Sequence, residues 1–219
     1  MENKVREYFQ IKDSCRKGLI KYLEKVCSRI AGFKSPKILD TGCGTGVPTL
    51  WIAENYAGTI TAIDTDGDSI EWLNHKIALE NLQDRVRTFV ISFFDFKSAP
   101  DYYDIVLAEG FLNAIGFENG FTEVIKILKR HGYFIIHDEF KDHQQKRDFI
   151  LNLNCKIFDT LSLGEDVWWN DYYRQLEIEI NTIRDEQLRK HFLEDIQEIE
   201  CYKADPTVFK SIYYLVQKL

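Results

Sequence analysis

Ile38-Leu39-Asp40-Thr41-Gly42-Cys43-Gly44-Thr45-Gly46 is a short apolar run that ends in an acid and then sets three glycines at alternate positions. Val47-Pro48-Thr49-Leu50-Trp51-Ile52-Ala53-Glu54 follows and reads as a helix with proline in its first turn. Strand, glycine turn and helix in that order let backbone approach a ligand closely. Glycine has no Cβ and tolerates positive φ, and the helix start offers free N–H groups. The spacing narrows the ligand. A dinucleotide fingerprint is G-x-G-x-x-G, and here the position of its last glycine holds Val47. The next strand, Thr59-Ile60-Thr61-Ala62-Ile63-Asp64, closes on an acid that can accept from both hydroxyls of a ribose. Together these point to a nucleoside-bearing cofactor and away from a pyrophosphate.

Working outward, the alternation of short apolar runs with helical periodicity predicts an α/β fold, a Rossmann-like doubly wound, mostly parallel sheet of seven strands. Residues 1–35 read as helical, with Leu19, Ile20, Leu23, Val26, Cys27 and Ile30 on one face. Strands are expected at 37–40, 59–64, 86–91, 104–108, 133–138 and 156–163, and a last one at 209–218. Helices are expected near 47–56, 69–81, 121–129 and 144–153. Residues 166–202 are densely charged with helical spacing, which predicts a helical insertion before the last strand. The chain divides on this reading into a helical segment (1–35), a cofactor-binding core (36–163), an insertion or lid (164–206) and the final strand (207–219), all within one domain.

The block Asp40-Thr41-Gly42-Cys43-Gly44-Thr45-Gly46, with Asp64 and Phe94-Asp95-Phe96 after it, resembles the class I S-adenosylmethionine-dependent methyltransferases. The resemblance covers about residues 36 to 139 and continues more weakly to 211–216. Glu109-Gly110 through Ile115-Gly116-Phe117 is similar to an E-G-x-x-x-x-I-G-F run of a small-molecule subgroup. The resemblance implies S-adenosylmethionine as cofactor, leaving S-adenosylhomocysteine as product. It places Gly42, Cys43, Gly44 and Gly46 around the cofactor, Asp40 toward the methionine ammonium, Asp64 on the ribose with Thr65 beside it, and Phe94 and Asp95 at the adenine. Ala108 and Glu109, ending the fourth strand, should border the methionine end. It also implies a seventh strand that runs antiparallel.

Other groups are read from position. Glu109, His137 and Glu139 end strands on the ligand-binding edge and are the candidates for a general base. Asn113 is expected on the acceptor side, as are Trp168, Trp169, Tyr172 and Tyr173, whose aromatic faces could form a lid. The plainer use of those aromatics is to anchor the insertion. Cys43 needs only to be small, because no base adjoins it to activate a thiol. No His, Cys or acid spacing suits a metal.

Composition sets outer limits. The chain has 219 residues and a net charge of −7, which disfavours a general nucleic-acid surface. No apolar run is long enough to span a membrane, and Met1-Glu2-Asn3-Lys4-Val5-Arg6-Glu7 carries no apolar signal core, so a cytoplasmic protein is expected. Cysteines at 15, 27, 43, 155 and 201 form no C-x-x-C pair and read as reduced thiols. The N-P-P-Y run of nucleic-acid amino methylases is absent. A small-molecule acceptor is therefore the expectation; a protein or RNA acceptor, a non-catalytic cofactor-binding module, a nicotinamide oxidoreductase and a homodimer stay open.

Overall fold

The computed structural model describes residues 2–219. The element order is α1 (Asn3–Arg16), a 3₁₀ turn (Lys17–Leu19), α2 (Ile20–Cys27), β1 (Lys37–Thr41), α3 (Val47–Asn55), β2 (Thr59–Asp64), α4 (Gly67–Leu79), β3 (Val86–Val90) and β4 (Tyr103–Glu109). Then follow α5 (Leu112–Ile115), α6 (Phe117–Ile127), β5 (Leu128–Glu139), α7 (His143–Asn152) and β6 (Cys155–Leu163). The chain ends with α8 (Asp166–Trp168), a π turn (Trp169–Tyr173), α9 (Arg174–Thr182), α10 (Glu186–His191), α11 (Leu193–Ala204), a 3₁₀ turn (Pro206–Phe209) and β7 (Ser211–Lys218).

The seven strands form one sheet in the order β3-β2-β1-β4-β5-β7-β6. Strands β1 to β5 pair in parallel, and β7 runs antiparallel between β5 and β6. This is the Rossmann-like architecture the alternation predicts. Central strands are buried on both faces, so successive residues feed two different cores. Ile38, Ile60, Ile105, Leu107 and Ile135 pack toward α2, α3 and α4. Leu39, Ile63, Val106, Phe134 and Ile136 pack toward α6 and α7 with Phe121, Val124 and Ile150.

A third core stands apart from the sheet. Tyr172, Tyr173, Leu176, Ile180, Leu188, Phe192, Ile199 and Tyr202 enclose it together with Cys15, and Tyr8, Ile11 and Leu19 pack against it. The N-terminal helix and the insertion thus form one cap. The two segments are joined by Lys21 and Tyr22, whose Nζ and hydroxyl both donate to Asp171 at 2.6 Å, and by Lys12 with Asp195 at 2.7 Å.

Several boundaries depart from the sequence reading: the helical segment expected over 1–35 ends at Cys27, and the short α5 has no counterpart in that reading. Helix α6 begins at Phe117, because Gly120 lies inside it, pressed against Leu112 and Ile115 where a Cβ would not fit. Strand β5 begins at Leu128, then slips its register before Tyr133 pairs with Ile105. Strand β7 starts at Ser211, because Asp205 caps the 3₁₀ turn by accepting from the Thr207 N–H. Among the described residues no helix is long and apolar enough to cross a membrane. All five cysteines are free thiols, and Cys201 alone of them is exposed.

Candidate active site

The glycine turn leaves β1 with φ of +66° at Gly42, +51° at Gly44 and +81° at Gly46. A Cβ on Gly42 would stand 2.6 Å from the Phe111 ring, so both conformation and space require glycine there. The turn is bound to the end of β2. The Gly42 and Cys43 N–H groups donate to the Ile63 carbonyl, and the Gly44 N–H donates to Asp64 Oδ2 at 2.7 Å. Asp64 Oδ1 accepts from the Asp66 N–H at 2.9 Å. Asp66, not Asp64, caps α4, through the Asp68 N–H. Burial pushes the Cys43 thiol far up, which keeps it protonated and inert.

Beside this turn lies a cleft of about 720 Å³, open mouth included, lined by Gly42, Asp64, Thr65, Phe93, Phe94, Gly110 and Phe111. Flat apolar walls with one carboxylate at the rim suit an adenosine. The structure therefore gathers Gly42, Asp64, Thr65 and Phe94 in one place. It adds Phe93, Gly110 and Phe111, of which only Phe93 carried no mark in the motif reading beyond its aromatic neighbours. Asp95 stays outside this wall; it is exposed, and its N–H donates to the Ser92 carbonyl. Ala108 is fully buried opposite Thr41 in the sheet.

Asp40 is 2 % exposed and turns its carboxyl to α3, where the Thr49 hydroxyl donates to Oδ2 at 2.5 Å. It lines neither this cleft nor the one described next. Burial raises its pKa to about 7, against the opposing hydrogen bond from Thr49.

A second, larger cleft of about 1810 Å³, open mouth included, lies between the sheet edge and the cap. Gly110, the residue after β4, lines both spaces. Glu109, Asn113, His137, Glu139, Trp168, Tyr172 and Tyr173 line the cleft, as their sequence positions suggest. Trp169 does not. Its ring stacks on Tyr202 at 5.8 Å and 7°, inside the cap. The π turn explains the split, since its wider winding brings Trp168 over Tyr172 and Tyr173 on one face. Arg16 and Lys12 of α1 also reach the cleft, and nothing in the local sequence pattern marked them.

Glu109, His137 and Tyr213 are register partners across β4, β5 and β7. The Tyr213 hydroxyl donates to Glu109 Oε1, reaching past the His137 ring, which stacks on Tyr213 at 4.2 Å and 6°. Trp168 lies nearly parallel on the same stack, 5.8 Å from His137. His137 Nε2 is 2.9 Å from the Ser211 hydroxyl. Burial first, then the Arg16 charge, lowers its pKa to about 3. The imidazole is neutral near pH 7 and a weak proton acceptor. Burial raises the Glu109 carboxyl while Tyr213 and Arg16 oppose the shift. Glu139 sits exposed at the rim. The arrangement favours positioning and exclusion of water over strong base catalysis.

The helix that carries Arg16 is also tied to the glycine turn. Buried Asp13 accepts from Thr45 Oγ1 at 2.5 Å, Trp72 Nε1 at 2.8 Å and Lys76 Nζ at 2.5 Å.

Residues 33–179 match the model of a family described as a methyltransferase domain. Among curated proteins, methyltransferase GfsG of Streptomyces halstedii is 25% identical over 116 residues, covering 52% of this chain and 42% of that protein. Further relatives are named as methyltransferases of ribosomal protein L11, of ubiquinone/menaquinone biosynthesis and of sterols. The chain spans less than half the length of these curated relatives. Among solved structures, the [4+2]-cyclase SpnF aligns with a TM-score of 0.77 at 15% identity, over 90% of this chain and 80% of that one. Coclaurine N-methyltransferase bound to N-methylheliamine and S-adenosylhomocysteine aligns with a TM-score of 0.68 at 16% identity, over 91% and 70%.

Proposed function

The chain belongs to the methyltransferase-domain family, of the class I S-adenosylmethionine-dependent kind, and from that premise we propose that it transfers a methyl group to a small-molecule acceptor held between the sheet edge and the cap. One observation carries the reading: the apolar space beside the glycine turn and the larger aromatic cleft share Gly110 as a common wall. When bound, S-adenosylmethionine supplies an electrophilic methyl on a sulfonium whose charge is lost on transfer.

The residues divide the remaining work. Asp64 accepts from the ribose hydroxyls, keeping its two backbone donors, since a carboxylate has room for about four hydrogen bonds. Phe93, Phe94 and Phe111 pack on the base. The glycine turn brings backbone near the methionine end, with Cys43, Gly44 and Gly46 holding its shape. Asp40 acts on this region through Thr49 and the start of α3. Trp168, Tyr172 and Tyr173 enclose the acceptor, with Asn113 at its edge, and exclude water. His137, held neutral, and Glu109, held by Tyr213, orient the acceptor and do not strip it of a strongly held proton. The occupants favoured are nucleophiles that carry a free lone pair or lose their proton easily.

The test is calorimetric titration with S-adenosylhomocysteine and with nicotinamide dinucleotides, followed by a radiolabelled-methyl screen of metabolite, peptide and RNA pools. Binding of S-adenosylhomocysteine alone and label in a small metabolite are expected. Dinucleotide binding would overturn the cofactor assignment. Label in protein or RNA would overturn the acceptor class. Cofactor binding with no label in any pool would favour a module that keeps the cofactor without transfer, a separation of fold from activity that the likeness to a cyclase makes concrete.

A further inference from the structure

Arg16 ends α1 with its guanidinium at the wall shared by the acceptor cleft and a narrower space under Val47 and Pro48. The residue is partly buried. Glu109, Tyr172, Tyr213 and Asp13 are close enough to feel its charge. None of them engages it, and among the described residues it forms no ion pair and donates no hydrogen bond. The acids around it are already committed: Glu109 takes the Tyr213 hydroxyl, and Asp13 takes Thr45, Trp72 and Lys76. A guanidinium has five N–H donors, and withdrawing them from water without an acceptor is costly. A ligand oxygen in the cleft would engage donors that the protein itself leaves unused.

The surroundings choose among oxyanions. Lys12, Arg16, Lys141 and Lys210 line the cleft against Glu109, Asp138, Glu139 and Glu198, so positive and negative groups balance. Lys12 is held by Asp195 and Lys210 by Glu165, and a single negative charge on Arg16 needs neither of them. A single planar monoanion on Arg16 would meet a matching two-donor fork. The partly buried Trp168 and the edge of Tyr172 line the cleft with it.

We propose that the methyl acceptor is a carboxylate-bearing, ring-containing small molecule whose carboxylate docks on Arg16 while its ring lies against Trp168 and Tyr172. This rests on the reading of the cleft as the acceptor site.

The experiment uses the full chain as wild type, Arg16→Lys, Arg16→Gln and Arg16→Met, with thermal melts to confirm folding. S-adenosylhomocysteine is titrated first, and failure of the wild type to bind it would sink the cofactor reading itself. The loaded proteins are then titrated with paired probes of one shape and different charge: benzoate and benzamide, phenylacetate and phenylacetamide, indole-3-acetate and indole-3-acetamide. In wild type at least one acid should bind about tenfold or more tighter than its amide, the scale of a charge-assisted pair. Arg16→Lys should keep part of that preference, and Arg16→Gln and Arg16→Met should lose it. Equal binding of acid and amide across all three pairs overturns the proposal, as does a preference that survives in Arg16→Met and Arg16→Gln. A variant that weakens S-adenosylhomocysteine but leaves 5′-methylthioadenosine, which lacks the amino-acid carboxylate, unchanged also overturns it. The guanidinium would then serve the cofactor.

Discussion

Asp64 illustrates how one side chain can serve both shape and ligand. Its two oxygens hold the Gly44 and Asp66 N–H groups, so removing the carboxylate disturbs the turn as well as any ribose. Asp64→Ala should weaken S-adenosylhomocysteine by tenfold or more and also lower stability by about 1–2 kcal/mol, the net loss of two such hydrogen bonds. Asp64→Asn keeps an acceptor and should recover most of the stability with less of the affinity. Calorimetry and thermal melts read the two effects separately; unchanged affinity in Asp64→Ala would end the ribose assignment. His137 and Asp40 make opposite demands on pH. The folded chain refuses a proton at His137 between its ordinary 6.5 and about 3, so this group costs stability as pH falls through that window. The folded chain retains a proton at Asp40 between 3.8 and about 7, so this group costs stability as pH rises. The two oppose each other in the overlap, each with a slope of up to about 1.4 kcal/mol per pH unit. Asp40→Asn should leave the His137 effect unopposed, and its denaturant stability should climb more steeply than wild type from pH 4 to 6.5. Equal slopes would count against the buried acid's raised pKa.

At the scale of elements, the π turn and the first 3₁₀ turn decide which aromatic faces the acceptor. Trp168 lies on the His137–Tyr213 stack at the cleft, whereas Trp169 packs on Tyr202 with Lys203 over its ring. Trp168→Ala should change acceptor KM or turnover with modest loss of stability. Trp169→Ala should lower the melting temperature, as removal of a packed aromatic does, and affect turnover only through folding. Initial-rate kinetics beside thermal melts distinguish them, and the reverse pattern would refute the assignment. Gly18 is the close contact between the two turns. A Cβ there would meet the Asp171 backbone oxygen at 2.1 Å, which backbone cannot yield by a side-chain rotation. Gly18→Ala should therefore destabilise the cap by about 1–3 kcal/mol, as overpacking does. A denaturation midpoint at or above wild type would show that the turns separate freely.

Across the whole molecule, the cap is one body assembled from the segment before β1 and the insertion between β6 and β7. Its own core and the Asp171, Asp185 and Asp195 contacts join α1 and α2 to α8 through α11, while Asp13 couples α1 to the glycine turn. Hydrogen exchange should report this unity: S-adenosylhomocysteine should slow exchange in residues 3–27 and 166–209 together. Protection confined to 38–65 would show that the cap is uncoupled from the cofactor site. The sheet architecture, the glycine turn and the place of Asp64 at the end of β2 were legible in the sequence, because each depends on neighbours in the chain: alternation of buried strand residues, positive φ at three glycines, an acid at a strand end. The insertion also read as helical from its periodicity. Packing in three dimensions settled that the N-terminal helix and the insertion share a core, that Trp168 rather than Trp169 lines the cleft, that Asp40 turns to Thr49 and that Arg16 has no ion-pair partner among the described residues. Those outcomes rest on contacts such as Gly18 with Asp171 and Asp13 with Thr45, made between residues far apart in the chain. Such contacts leave no period or spacing in the local sequence, since packing and not propensity selects them.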